Sequence, residues 1–95
     1  MLPEYPTNKE EYWAIVDANW ADLYNILATY LPKEELSKAD NLRLNKDREL
    51  VDLFDDAWFA APDHKSIHDI PGWHVLCNLC SEAHVLYEDG ELLNE

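Results

Sequence analysis

Residues 47–61 read DRELVDLFDDAWFAA and predict the clearest helix in the chain. Apolar residues recur there at alternating steps of three and one, which places them on one face of an α-helix. They are Leu50, Leu53, Phe54, Ala57, Trp58 and Ala61. The opposite face carries five acids: Asp47, Glu49, Asp52, Asp55 and Asp56. We expect this helix to begin after Asn45 as its N-cap, to pack its apolar face on a core and to end at Pro62.

The chain between residues 7 and 31 predicts a second amphipathic helix, of about 20 residues. Its apolar residues recur at steps of four and three: Tyr12, Val16, Trp20, Leu23, Leu27 and Tyr30. Thr7 and Glu10 form a T-x-x-E capping box at its start, and Pro32 requires it to stop. Residues 1–6 are expected to form an extended arm, because their two prolines lack N–H donors and disfavour helical neighbours.

The apolar surface of this second helix is wider than one ordinary face. It is broadened by Trp13, Ile15, Tyr24, Ile26 and Leu31. A helix that is apolar around most of its circumference is either central in a bundle or covered by another chain. Beyond it, residues 32–39 fit a short helix with Pro32 at its first position, and residues 40–44 are expected to be irregular.

After the helix predicted over residues 47–61, which we call the central helix, residues 62–72 predict a loop. Trp73 then begins a third apolar stretch at helical spacing. Its other members are Leu76, Cys77, Cys80, Ala83, His84 and Tyr87. Two endings fit the pattern. Either the helix continues until Gly90 stops it, or it ends near Glu82 and a short C-terminal β-hairpin forms around Asp89-Gly90.

The composition fits one small globular domain. The 95 residues are too few for a second core, and 47% of them are hydrophobic, which argues against disorder. We therefore expect residues 1–95 to form a single, mainly α domain, a bundle of three to four helices.

The charge of the chain is strongly unbalanced. Twenty Asp and Glu face seven Lys and Arg, which gives a formal net charge of −13. This exceeds the magnitude of about 2–8 that solubility normally requires. Such a surface repels phosphate backbones and anionic lipids, so direct binding to nucleic acid or to a membrane is disfavoured. The favoured partner is a basic protein or nucleoprotein complex.

The location follows from the segments that are missing. The start has no basic and apolar leader pattern, and no apolar run approaches the ~18 residues of a membrane span. Two cysteines three positions apart do not make a disulfide framework. We expect a cytoplasmic protein with reduced thiols, which for a phage-encoded chain means the host cell cytoplasm.

Four residues carry ligand chemistry suited to zinc: His64, His68, Cys77 and Cys80. The two cysteines are one helical turn apart, so both can face one ion, and the two histidines of the preceding loop could complete a tetrahedral set. The alternative is that both thiols are small buried apolar groups, as free cysteines often are. The surrounding VLCNLCSEA has the pattern of an amphipathic helix and favours this alternative, so we expect no cofactor.

Catalysis is disfavoured by the setting of its candidate residues. Residues 66–95 carry six acids and no Lys or Arg, which raises the pKa of a thiol and weakens a cysteine nucleophile. The carboxylates of the central helix lie on a solvent face, and no glycine-rich phosphate loop accompanies them. We expect a protein that is not an enzyme.

The acids of the central helix suggest a binding role. Carboxylates recur there about every 5–6 Å, comparable with phosphates along a strand, so the face can act as a nucleic-acid mimic on a basic surface. Aromatic side chains would anchor the contact. The expected contact residues are Asp47, Glu49, Asp52, Asp55, Asp56, Tyr24 and Tyr30. Trp20, Trp58 and Trp73 are expected in the core.

In size, charge and aromatic content the chain is similar to the small acidic inhibitors of phages and mobile elements, such as anti-CRISPR and anti-restriction proteins, and to nuclease immunity proteins. No motif carries this similarity, so it implies no residue roles. It implies an inhibitor that docks on the basic surface of a nucleic-acid-binding protein or complex. The alternatives are a small zinc-stabilised module, or an obligate-complex subunit or antitoxin; the wide second helix could also form a homodimer.

Overall fold

Helical periodicity dominates the sequence, and the computed structural model, which describes residues 3–61, 70–83 and 85–86, is helical accordingly. Six helices form among these residues, and no strand does. They are α1 (Lys9–Ala18), α2 (Trp20–Tyr30), α3 (Lys33–Leu36), α4 (Ala39–Leu44), α5 (Arg48–Ala60) and α6 (Trp73–Ala83). The mainly α class is confirmed, but the predicted count of three to four helices is wrong. The hairpin considered around Asp89-Gly90 lies outside the described residues; Val85 and Leu86 before it are π-helical.

One predicted helix is two, because the chain bends at Asn19. This residue leaves helical geometry at φ −118° and ψ 20°, and both its backbone N–H and its side-chain amide donate to the carbonyl of Ile15, at 3.1 and 2.9 Å. Its own carbonyl accepts the N–H of Leu23 at 3.0 Å and so begins α2. The prediction of one continuous helix is therefore wrong. Its predicted stop before Pro32 is confirmed, since α2 ends at Tyr30.

The wide apolar surface of this stretch is buried or half-buried within the single chain. Trp13, Ile15 and Ile26 are 3%, 4% and 2% exposed within the single chain. Tyr24 and Leu31 are half-buried. The width therefore gives no independent argument for a second chain that covers this region.

The start of α1 is capped one residue later than predicted. Asn8, and not Thr7, is the N-cap, and its side chain accepts the backbone N–H of Glu11 at 2.8 Å. The Glu11 carboxylate accepts in turn from the backbone N–H and the hydroxyl of Thr7, at 2.8 and 2.6 Å. These bonds lower the pKa of Glu11. Glu10, the expected partner of Thr7, is exposed.

The connection between α2 and α5 is more helical than the sequence indicated. The short helix expected over residues 32–39 forms as α3, four residues long, with Pro32 as its N-cap rather than its first residue. Residues 40–44, expected to be irregular, belong to α4, so that prediction is wrong. Six residues are too few for periodicity to reveal a helix, although one side of α4 is buried through Ala39 and Leu42.

A tight junction joins α4 to α5. The N–H of Asp47 donates to the carbonyl of Leu42 at 2.9 Å, and the N–H of Lys46 donates to the carbonyl of Arg43 at 3.1 Å. This pair of bonds is a Schellman motif, and it places Lys46 in the left-handed region at φ 51°. The Asp47 carboxylate then accepts the backbone N–H of Glu49 at 2.9 Å and caps α5, the role expected of Asn45.

The core contains most, but not all, of the apolar residues that the periodicity assigned to it on α5 and α6: Trp58 is exposed, and Cys77 and Cys80 are only half-buried. Its α5 and α6 members are Leu50, Val51, Leu53, Phe54, Ala57, Trp73, Leu76, Leu79 and Ala83. The two helices run antiparallel, because Trp58 contacts Cys77 while Asp55 contacts Cys80. No helix within residues 3–61, 70–83 and 85–86 combines the length and the apolar composition needed to cross a membrane.

The start of α6 lies tightly against α2, and a glycine permits this. Gly72 has φ +81°, where side chains other than glycine are strained, and a Cβ on it would lie 2.7 Å from the Cβ of Asp22. The close approach places the residue before Trp73, and with it the start of α6, against α2.

Candidate partner-binding surface on α5 and α6

The acidic face predicted on the central helix lies on α5, and two of its five acids also serve the fold. Asp47 is exposed and caps the helix, and the carboxylate of Glu49 lies 3.5 Å from the ammonium of Lys38. Both partners in that ion pair are about half exposed, at 49% and 55%, and pairs of this kind contribute roughly 0–1 kcal/mol. Glu49 is therefore held only weakly by Lys38.

Asp52 and Asp56 form the open part of the face. Both are exposed, and neither makes an ion pair or a side-chain hydrogen bond with another residue in the described part of the chain. They lie one turn apart, so their carboxylates project side by side. Phe59 continues the same row after a further step of three and is 77% exposed. We call Asp52, Asp56 and Phe59 the open row.

Two aromatic residues at the end of α5 reach the surface, although neither was predicted to be exposed. Trp58 was expected in the core but is 41% exposed, while its indole Nε1–H reaches α6 and donates to Cys77 Sγ at 3.4 Å. Phe59 packs edge-on against Trp58, with ring centroids 5.2 Å apart and planes at 88°. The steps from Asp52 to Asp56 and then to Phe59 were the available signal, because they place Phe59 on the polar side.

A groove of about 250 Å³ opens between α5 and α6 beside these rings. Its described lining residues combine ring surface, thiols and one carboxylate: Asp55, Trp58, Phe59, Cys77, Cys80 and Ser81. Asp55 is half-buried here, whereas Asp52 and Asp56 are exposed. The open row therefore leads directly into an apolar recess with a carboxylate inside it.

The Cys80 thiol hydrogen-bonds the Asp55 carboxylate in this groove. Burial raises the pKa of Cys80 well above its ordinary value, and the negative charge of Asp55 and the hydrogen bond raise it further. The thiol therefore keeps its proton at neutral pH and is the donor to Asp55. A nucleophilic cysteine needs the opposite setting, a positive one that favours the thiolate.

Of the four residues expected to ligate zinc, Cys77 and Cys80 line the same groove. His64 and His68 lie outside the described residues. In the part of the chain that is described, no three or more His, Cys, Asp and Glu side chains are grouped so that they could hold a metal ion. Zinc binding at the two thiols would require the Cys80 thiolate, a form that a bound metal ion itself stabilises.

The two tyrosines expected to anchor a partner belong to a different part of the molecule. Tyr24 and Tyr30 lie on α2 and are half-buried, and the described lining of the groove includes neither. Tyr24 packs edge-on against Trp20, with centroids 5.8 Å apart. Trp20 in turn donates its Nε1–H to Asp40 at 3.1 Å and carries the Arg43 guanidinium 5.0 Å above its ring. This cluster ties α2 to α4.

Comparison with known proteins adds no relative: no protein-family model matches the chain, and no curated protein or solved structure is significantly similar to it. The geometry of the surface is therefore the basis for assigning a function.

Proposed function

We propose that this protein is a non-enzymatic acidic binding protein that docks on the basic surface of a nucleic-acid-binding protein or complex and competes there with nucleic acid. The observation that carries the proposal is the open row on α5, in which two exposed carboxylates are followed by an exposed ring. A charged row alone is usually a solvated helix face. The aromatic end supports an interface, because exposed aromatic side chains are enriched in the cores of protein–protein contacts.

The charge of the whole chain supports the same class of partner. A net charge of −13 attracts a basic surface over a distance and repels nucleic acid itself. Such steering raises the rate of association and fades with salt, whereas close contacts at buried rings mainly set the rate of dissociation. Acids and rings on α5 should therefore have separable kinetic effects.

The test is displacement of a labelled DNA duplex from a panel of purified CRISPR complexes, restriction enzymes and bacterial nucleases. We expect the protein to release DNA from at least one member, with an effect that weakens between about 50 and 200 mM salt. The double variant Asp52→Lys with Asp56→Lys should weaken displacement at least about tenfold. Phe59→Ala should instead speed dissociation from that member and leave association unchanged.

A matched control separates the open row from net charge. Glu4→Lys with Glu34→Lys changes two exposed acids of the N-terminal arm and α3. Each substitution adds two positive charges, so both double variants carry −9 instead of −13. The control should displace DNA nearly as well as the wild type. The proposal is wrong if no panel member releases DNA, or if the two double variants behave alike and salt has no effect.

A zinc-stabilised module is the second candidate, and the shared groove position of Cys77 and Cys80 is the observation that favours it. It requires about one zinc ion per chain after purification without chelator and a lower melting temperature in EDTA. Because VLCNLCSEA has the pattern of an amphipathic helix, in which both thiols are small apolar groups, we expect the opposite result: no stoichiometric zinc by elemental analysis and an unchanged melting temperature. Stoichiometric zinc that EDTA removes with loss of the fold would establish the second candidate instead.

A further inference from the structure

We propose that the groove between α5 and α6 receives one arginine side chain of the partner. The kind of partner that provides this arginine rests on the proposed function, because a basic nucleic-acid-binding surface supplies such side chains. The fit of an arginine follows from the groove residues themselves and can be tested without the partner.

The size of the groove matches one side chain better than a free ligand. At about 250 Å³ it is smaller than the roughly 300–1,000 Å³ of small-molecule and cofactor sites. The groove also lies next to the open row of α5 rather than inside the core. A partner docked on that row would therefore reach the groove with a single residue.

The rings at the groove suit both parts of an arginine. Trp58 and Phe59 stand at 88° to each other and are 41% and 77% exposed, so both offer accessible ring surface. An arginine stem packs on apolar surface while its charged head stays at a polar edge. A guanidinium over an aromatic face is attracted by the ring's quadrupole. Two perpendicular rings can provide these two contacts at once.

Asp55 places a carboxylate where the guanidinium would lie. A carboxylate can accept several hydrogen bonds, and one donor here is the Cys80 thiol. Because the thiol keeps its proton, Cys80 adds no second negative charge to the groove. Asp55 is half-buried, so salt screens an ion pair here less than at Asp52 or Asp56.

The groove residues are held in place before any guest arrives. The Trp58 indole donates to Cys77, Phe59 packs on Trp58, and Asp55 accepts from Cys80. Side chains that are already ordered lose less conformational freedom on binding.

The chain already contains one complete example of the arrangement that we propose. Arg43 lies 5.0 Å above the ring of Trp20, and its Nη1 donates to the carboxylate of Asp17 at 2.9 Å. An indole ring and an aspartate thus enclose a guanidinium within this molecule. The groove offers the same two kinds of group, Trp58 and Asp55, without an arginine among its described lining residues.

Arginine fits this lining better than lysine. Four of the six lining residues present rings or sulfur atoms, and a guanidinium is flat and more weakly hydrated than an ammonium group. The ammonium group of a lysine would lose more hydration water on entering the groove. It is also not planar, so it cannot stack on an aromatic ring as a guanidinium does.

The test titrates the full chain with acetyl-Gly-Arg-Gly-amide at about 150 mM salt and follows two-dimensional ¹H–¹⁵N NMR spectra. We expect shifts concentrated at the Trp58 indole N–H and the backbone amides of residues 77–81, with a dissociation constant on the order of millimolar. The peptide with citrulline, the neutral isostere, should bind at least about tenfold more weakly, since a charged hydrogen bond is lost. The lysine peptide should lie between them.

Matched variants locate the binding energy. Asp55→Asn should weaken arginine binding about tenfold, whereas Asp52→Asn, which removes the same charge outside the groove, should change it less than about twofold. Phe59→Ala should weaken binding about two- to fivefold. Its control is Leu44→Ala, which truncates a 68% exposed residue on α4 and should have no effect. Phe59 is so exposed that its truncation keeps the test valid even if Asp55→Asn disturbs the fold.

The inference is overturned if the arginine and citrulline peptides bind equally, or if Asp55→Asn and Asp52→Asn have the same effect. It is also overturned if the shifts spread over the acidic surface instead of the groove. These outcomes are independent of the DNA-displacement panel. Arginine binding with no inhibited panel member would refute the proposed function alone, and inhibition without arginine binding would refute the groove alone.

Discussion

Lys46 occupies a backbone position that usually belongs to glycine. Among the described residues other than glycine it alone has a positive φ, 51°, because the Schellman end of α4 turns the chain there. A left-handed conformation costs a residue with a side chain roughly 1–2 kcal/mol. Glycine avoids this cost, but part of the gain is lost because glycine gives the unfolded chain more conformational freedom.

We therefore expect Lys46→Gly to raise the free energy of unfolding by about 1 kcal/mol relative to Lys46→Ala. Both variants remove the same charge, so their difference isolates the backbone conformation. Urea denaturation followed by circular dichroism measures it. Equal stabilities would show that Lys46 is not strained.

Cys80 gives the stability of the protein a dependence on alkaline pH. Its pKa in the folded chain is raised above the ordinary value of about 9.0, so the folded state holds the proton longer than the unfolded state does. The contribution is fully present below pH 9, and it is lost progressively as the pH rises above 9 towards the folded pKa.

Cys80→Ser keeps a hydroxyl donor for Asp55 and cannot ionise in this range, so it is the matched comparison. We expect the free energies of unfolding of the wild type and the variant to run parallel from pH 7 to about 8.5. The wild type should then fall faster up to pH 10. Parallel curves throughout would contradict the raised pKa.

At the scale of single elements, α5 has one buried side and one exposed side. Phe54 is fully buried and Phe59 is 77% exposed, although both are phenylalanines on one helix. Phe54→Ala should lower the free energy of unfolding by about 3–5 kcal/mol, since it opens a cavity. Phe59→Ala should stay within about 0.5 kcal/mol. Urea denaturation compares them, and similar losses would mean that Phe59 is packed in the fold rather than open to a partner.

Periodicity predicted α5 and the start of α6 because each has a single apolar side over several turns. It could not predict the break at Asn19, since apolar steps of four and three run through that residue without interruption. At the break, the backbone N–H and the side-chain amide of Asn19 both donate to the carbonyl of Ile15, and the spacing of apolar residues carries no information about such hydrogen bonds. α4 escaped for a different reason, because six residues hold too few repeats.

Only part of the candidate surface could be predicted, because periodicity identifies the solvent face of a helix but not its contacts with neighbouring helices. Asp52 and Asp56 were placed on a solvent face by their spacing alone. The role of Asp55 depends on how closely α6 approaches α5. The spacing of apolar residues in the sequence does not predict this distance between the two helices. Trp58 lies at the border of the apolar side, where the reach of the neighbouring helix decides its exposure. Tyr24 and Tyr30 were expected to be open, but α2 holds both half-buried.

For the molecule as a whole, size and charge together determine the response to salt. Its longest dimension is 36 Å, and electrostatic screening has a range of about 30 Å in 0.01 M salt and about 8 Å in 0.15 M. At low salt nearly every acid repels nearly every other one, whereas at 0.15 M mainly neighbours interact.

We expect the melting temperature to rise as sodium chloride increases from about 10 to 150 mM, because screening relieves repulsion among charges that sum to −13. The Lys38–Glu49 pair, with both partners about half exposed, weakens at the same time but contributes little, and the Arg43–Asp17 pair, whose arginine side chain is 26% exposed, is screened less. The variant with lysine at positions 52 and 56 should show a smaller rise. A melting temperature that falls with salt would mean that attraction dominates.

The groove joins residues 55–59 to residues 77–81, so a guest would bridge two helices that are distant along the chain. Occupancy and the docking of α6 are therefore thermodynamically linked. A guest that binds only the folded chain adds about 2.7 kcal/mol to its stability at one hundred times its dissociation constant. The melting curve thus becomes a reporter of groove occupancy, and it can rank arginine-bearing fragments of candidate partners with neither a nucleic acid nor an enzymatic assay.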